Sequence, residues 1–210
     1  MLFRSSISNI IDGDNIIKQA ALGYGRANIK IISDDGVEKN YLKDMSYGDI
    51  SFRCIPAPNK NDINFITLAR LSPEKNQQNL IKAFKDIVNI NRNCKLFILG
   101  DGPLYGNLKK LIRNLNLENH VYLLGFINNP YMLLDRCDCF ILPSNYEGQG
   151  MSILEAQILK KPVIGTNVNG IKSVVNEDSG ILVENNISSI VEGMRAYLKG
   201  NIPSIKFDYK

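Results

Sequence analysis

From residue 63 onward, short apolar runs alternate with longer stretches whose apolar residues recur at helical spacing, and this alternation constrains the fold more than any other feature. Ile63–Ala69, Lys95–Leu99, Val121–Leu124, Cys139–Leu142, Val163–Ile164 and Ile181–Val183 read as strands. After the first of them, Ser72 stands as an N-cap and Pro73 as a first helical residue, and Leu80, Ile81, Phe84, Ile87 and Val88 line one helical face. Leu104, Leu108, Leu111, Ile112 and Leu115 mark a second helix, with further patterns over Tyr131–Arg136, Ser152–Lys160, Ile171–Asn176 and Ile187–Leu198. Such alternation predicts an α/β fold, a doubly wound parallel sheet with right-handed crossover helices on both faces. In open sheets of this kind ligands bind beyond the carboxyl ends of the strands, so the residues just after each strand are the ones to inspect.

The first 60 residues read differently. Ile29–Ile32 and Ile50–Cys54 are strand candidates and Val37–Met45 a short helix, too little for a separate core. Pro56-Ala57-Pro58-Asn59-Lys60 reads as a linker. The formal charge of +4 is mild, and the basic residues are interspersed with acidic ones, so no nucleic-acid tail is present and none is expected as a partner. No apolar stretch approaches the roughly 20 residues of a membrane span, and Met1–Ser6 shows no signal-peptide core, which predicts a cytoplasmic protein. Cys54, Cys94, Cys137 and Cys139 lack metal-ligand spacing and His120 is the only histidine, so no metal is expected. The Cys137-Asp138-Cys139 pair is read as two reduced core thiols on one strand face.

Four post-strand segments carry candidate chemistry. Ala69-Arg70-Leu71-Ser72-Pro73-Glu74-Lys75 sets two cations at a strand end and helix start, where a cation is disfavoured unless an anion sits between. A diphosphate suits them, Arg offering a planar fork and Lys a point charge. Gly100-Asp101-Gly102-Pro103 is a tight turn that admits close ligand approach or simply joins strand to helix. Gly125-Phe126-Ile127 carries an aromatic that lines a base pocket or covers the sheet edge, the second being favoured for the ring itself. Pro143–Ala156 is the most informative: a Gly-bracketed loop runs into a helix near Gly150, whose first amides form an anion site. Glu147 in that loop and Glu155 in that helix can address different parts of one extended ligand.

These segments occur in a family's order. Ala69–Lys75, Ile98–Pro103, Leu124-Gly125-Phe126 and Pro143-Ser144…Glu147-Gly148…Gly150…Leu154-Glu155-Ala156, followed by Lys161–Ile164 and Asn169-Gly170-Ile171, resemble the C-terminal domain of group 1 (family four) retaining glycosyltransferases over residues 63–199. The resemblance implies a Rossmann-like domain, the C-terminal half of a GT-B fold. It assigns residues 61–200 to nucleotide-sugar binding, residues 1–60 to a remnant of the N-terminal acceptor domain with its linker, and residues 201–210 to the start of a truncated tail. It implies that Arg70 and Lys75 bind the donor diphosphate and stabilise the departing nucleotide. Glu147 and Glu155 match the two acids of the E-x7-E motif, the first at the donor sugar near the reacting carbon, the second at the ribose hydroxyls. Amides around Gly148, Gly150, Met151 and Ser152 should meet the donor's phosphates, and backbone near Gly125, Phe126 and Ile127 its base. Preorganised cations and amides stabilise a departing diphosphate without a metal or other cofactor.

This sequence departs from the family at Ala69, where Gly is usual, at Gln149, where an aromatic is common, and at Asn169-Gly170, often Gly-Gly. The family's Gly-rich loop and its histidine near the sugar belong to the other domain, and His120 lies at the wrong end of its strand to replace the latter. The leading expectation is retaining transfer from a nucleotide sugar, UDP-linked by preference, to a polysaccharide, teichoic-acid-like or lipid-linked acceptor, with peripheral association at the inner membrane face and a missing N-terminal domain. The competing readings are a nucleotide-binding module or inactive remnant without turnover, and a nucleotide-sugar epimerase of similar architecture.

Overall fold

The computed structural model describes the backbone of residues 28–32, 38–45 and 52–202, with side chains described over residues 56–202. Strands β1 (Asn28–Ile32), β2 (Glu38–Met45) and β3 (Phe52–Pro56) form an antiparallel sheet in that order. Over residues 38–45 the expected helix of 37–45 is therefore a strand, and Val37 lies outside the described residues. β2 is the centre of its sheet, Tyr41 opposite both Ile29 and Pro56, and ladders on both sides outweigh the favourable helix propensity of Glu, Lys and Leu. The tail beyond residue 202 and the expected strand's first residues, Ile50 and Ser51, lie outside the described residues.

The larger body is a six-stranded sheet, parallel throughout, in the order β6-β5-β4-β7-β8-β9. Its strands are β4 (Ile63–Leu68), β5 (Cys94–Leu99), β6 (Val121–Gly125), β7 (Cys139–Leu142), β8 (Val163–Thr166) and β9 (Gly180–Val183). Between and after them lie α1 (Gln77–Ile90), α2 (Tyr105–Asn114), α3 (Tyr131–Leu134), α4 (Met151–Ile158), α5 (Asn169–Lys172) and α6 (Ile187–Leu198). Successive strand residues face opposite sides, so the sheet divides two cores. Phe65, Leu96, Ile98 and Ile141 pack with α1, α2 and α6 on one face; Ile66, Phe97, Phe140 and Leu142 pack with α3, α4 and α5 on the other. Fully burying each such side chain contributes about 1.5–3 kcal/mol. The rings of Phe65 and Phe84 meet edge to face at 6.0 Å.

The expected placing of Cys137 and Cys139 on one strand face fails because the strand, with its alternation, begins only at Cys139. Cys139 belongs to the α1/α2/α6 face, whereas Cys137 precedes β7 and packs on the opposite core. Both are buried free thiols, as is Cys94. No helix among the described residues is long and apolar enough to cross a membrane.

Candidate functional site

The chain winds outward through β5 and β6 on one side of β4, then returns to continue through β7, β8 and β9 on the other. The reversal opens a crevice beyond the carboxyl ends of β4 and β7, the place where such sheets take their ligands. Each wall carries one of the predicted loops.

After β4, Leu71 is fully buried and anchors a loop on which Arg70 is exposed. Gln77, 1% exposed, donates through Nε2 to the Arg70 carbonyl at 2.8 Å and fixes the backbone that carries the guanidinium. Ala69 is not among the residues with positive φ, so replacing the family's glycine adds no strain there. Lys75 does not lie in the first turn of the amphipathic helix. Pro73–Lys75 is a separate 3-10 turn, and α1 begins at Gln77 after Asn76 in the left-handed region at φ 54°. Ser72 caps no helix with its side chain; its hydroxyl donates to Glu74 Oε1 at 2.6 Å and, as the leading cause, holds that carboxyl below its usual range.

After β7, Ser144 is buried and its carbonyl accepts from Thr166 Oγ1 at 2.6 Å. The Asn145 amide donates to the Glu74 carbonyl at 2.7 Å, so the two loops are joined through their backbones. Across that seam Lys75 Nζ donates to Glu147 Oε2 at 2.7 Å, with both side chains less than a fifth exposed. Ser144 Oγ also donates to Glu147 Oε2, at 3.3 Å. Gly170 at the start of α5 packs on the Glu147 carbonyl so closely that a Cβ would collide with it.

The remaining predicted residues surround this pair. Gly148 is exposed, and Gly150 adopts φ 58° as the N-cap of α4, whose first amides, at Met151 and Ser152, have no acceptor within the helix. Met151 is exposed and Ser152 partly buried. Glu155, on the second turn of α4, accepts from the Tyr131 hydroxyl at 3.2 Å. The Glu155 charge, with some desolvation, raises the ionisation of that phenol above its ordinary value. Gly125, at φ 69°, ends β6 and accepts from the Gly100 amide at 2.9 Å; Ile127 turns into the core. Phe126 does not cover the sheet edge as expected. Its ring is 67% exposed.

The Gly100–Pro103 turn serves the scaffold. The Gly102 amide donates to Asp101 Oδ1, and a Cβ on Gly100 would strike the Ala69 carbonyl. His120 sits at the amino end of β6, its Nδ1 3.2 Å from the Cys94 carbonyl and remote from the crevice. No group of three or more metal-ligating side chains occurs among the described residues. Sequence reasoning gave no role to Thr166 and Tyr131, which hold the Glu147 loop and Glu155 through long-range contacts without a local signal; Ser144, quoted only as part of the motif, reaches Glu147 three residues along its own loop.

Known proteins resemble this chain in sequence and fold. The family described as "Glycosyl transferases group 1" matches residues 51–209. A UDP-Gal:alpha-D-GlcNAc-diphosphoundecaprenol alpha-1,3-galactosyltransferase of Escherichia coli is 36% identical over 140 residues, covering 64% of this chain and 36% of the relative. A poly(ribitol-phosphate) alpha-N-acetylglucosaminyltransferase of Staphylococcus aureus is 30% identical over 146 residues, covering 68% of this chain and 30% of the relative. The crystal structure of Anabaena HepE in complex with UDP superposes with a TM-score of 0.60 at 26% identity, covering 66% of this chain and 40% of that one. The matched segments span 27% to 37% of the lengths of the first curated relatives.

Proposed function

The chain belongs to the group 1 glycosyl transferases, and on that premise we propose that its six-stranded domain is the donor-binding half of a retaining GT-B enzyme using a UDP-linked sugar. The observation that carries the proposal is the Lys75–Glu147 pair held between the β4 and β7 loops, in the crevice where a parallel sheet takes its ligand. In this reading Arg70, Lys75 and the amides around Gly148, Gly150, Met151 and Ser152 take the diphosphate. As the sugar–oxygen bond breaks, negative charge grows on the leaving phosphate, and fixed cations and amides stabilise it without a metal. Glu147, held by Lys75 and Ser144, faces the donor sugar. Glu155 accepts from the ribose hydroxyls, which a carboxylate can do at either oxygen. Backbone at Gly125, Phe126 and Ile127 takes the base.

The names of the relatives point to lipid-linked and teichoic-acid acceptors. The proposed setting is therefore the cytoplasm, at the inner face of the membrane, with acceptor contacts supplied by an N-terminal domain. Because the matches cover about a third of each relative, a second reading stays in play, a nucleotide-binding module without turnover. A thermal-shift series with UDP, GDP, ADP and CDP, with and without Glu155→Ala, tests the donor site. At a hundred times its dissociation constant a ligand adds about 2.7 kcal/mol of stability. A shift with UDP that Glu155→Ala removes supports the proposal; no shift with any nucleotide rejects it. Transfer from labelled UDP-sugar, undiminished by EDTA, separates the enzyme from the module.

A further inference from the structure

Three asparagines from three separate loops close a ring beside the Lys75–Glu147 pair. Asn76 Nδ2 donates to Asn185 Oδ1 at 2.9 Å, and Asn185 Nδ2 donates to Asn145 Oδ1 at 2.6 Å. Asn145 Nδ2 then donates to the Pro73 carbonyl at 2.9 Å, and the Asn76 backbone amide reaches the same carbonyl at 3.3 Å. Each of the three side chains thus spends its amide nitrogen inside the ring, and two of them also spend the oxygen.

The ring joins the two loops that meet at the pair. Lys75 immediately precedes Asn76, and Glu147 follows Asn145 by two residues. The third member comes from elsewhere. Asn185 lies between β9 and α6, next to Asn186, whose side chain caps α6 by accepting from the Ser189 amide at 2.9 Å. The same stretch is tied to the sheet, because the Asn167 amide donates to the Val183 carbonyl and the Asn167 side chain to Glu184. Asn185 therefore stands on a fixed post while bridging two loops. Asn76 occupies a left-handed position that glycine adopts with less strain, yet here its side chain has a partner. Neutral amides suit such a ring, because each can donate and accept while adding no charge that would compete for Lys75 or Glu147.

We propose that Asn185, acting through Asn76 and Asn145, is a positioning residue that sets the Lys75 ammonium against the Glu147 carboxylate and so tunes affinity for the diphosphate of the donor. This rests on the donor-site reading above. It predicts a loss confined to diphosphate ligands, because the residues assigned to base and ribose lie outside the ring.

Calorimetric titration of the full chain with UDP and with uridine, alongside hydrogen–deuterium exchange, tests it. Asn185→Ala and Asn76→Gly should each weaken UDP about fivefold and leave uridine unchanged. Amides of residues 74–76 and 145–147 should exchange faster in both. Asn76→Gly relieves a left-handed residue, so weaker UDP binding at an undiminished melting temperature excludes a folding defect. Native UDP affinity in both variants, or equal loss for UDP and uridine, overturns the assignment. If the native chain binds no UDP, the donor-site reading falls instead, and exchange decides the ring: unchanged protection in both variants overturns it, and faster exchange sustains it.

Discussion

The hydroxyl of Tyr131, at the start of α3, donates to Oε1 of Glu155 on α4 at 3.2 Å, linking the segment after β6 to the helix after β7. Two strands, β5 and β4, separate β6 from β7 in the sheet, so the contact joins segments that follow strands not adjacent to each other. If Glu155 receives the ribose hydroxyls, Glu155→Ala should weaken UDP by about ten- to a hundredfold, the range for hydrogen bonds to a charged group, with the fold intact. The same substitution removes the charge that raises the Tyr131 ionisation, so the phenol should titrate at lower pH than in the native chain. NMR titration with labelled tyrosine reads the second effect independently of any ligand; an unmoved Tyr131 signal would show that the contact is absent in solution.

Lys75 is expected to discriminate between ligands by their phosphates. Lys75→Ala should cost UDP affinity far more than uridine affinity, and Arg70→Ala should do likewise. Equal losses for the two ligands would contradict the phosphate role. Glu147→Gln keeps the shape of the side chain and removes the charge opposite Lys75. It should preserve UDP binding while abolishing transfer from UDP-sugar, a split visible when affinity and turnover are measured on one preparation.

Local signals sufficed for most of the sheet. The runs at Ile63, Lys95, Val121 and Cys139 sit in strands within a residue or two of their expected bounds, because a buried parallel strand is a short continuous apolar run. Three features escaped. The stretch Glu38–Met45 pairs on both sides, a tertiary fact its composition does not announce. Asn76 breaks the chain into a 3-10 turn and a helix through a left-handed φ that Ser72-Pro73 gave no hint of. Strand order, and with it the meeting of Lys75 and Glu147 across 72 residues of sequence, depends on the chain returning past β4, which alternation alone leaves open. Candidate site residues could be found one loop at a time; their pairing could not.

Gly170 tests how tightly the Glu147 loop is held. A Cβ at this position would overlap the Glu147 carbonyl, and backbone cannot yield as a flexible side chain can. Gly170→Ala should destabilise by about 1–3 kcal/mol, the usual cost of overpacking. It should also reduce UDP-sugar turnover more than UDP binding, since the displaced group is the carboxylate assigned to the sugar. Gly148→Ala is the control: a Cβ there meets nothing within 4 Å, so denaturant midpoint should stay native. Equal stability of the two variants would show that the α5 start does not press on this loop.

Burial of the thiols, and of the Tyr197 phenol, is expected to weaken the fold in alkali. Desolvation pushes Cys94 from 9.0 up to about 11, with the Asp62 charge adding to the shift, and burial raises Cys137 and Cys139 as well. Each folded-state value exceeds the unfolded one, so the unfolded chain releases these protons first as pH rises. The Cys94 contribution is then fully present below about pH 9 and declines through the window up to about 11, where Cys94 itself ionises in the fold. Urea midpoints measured across that window should fall, and Cys94→Ala should flatten the decline even as it lowers the midpoint at neutral pH by leaving a small cavity. An equally steep decline in the variant would assign the alkaline loss to other groups.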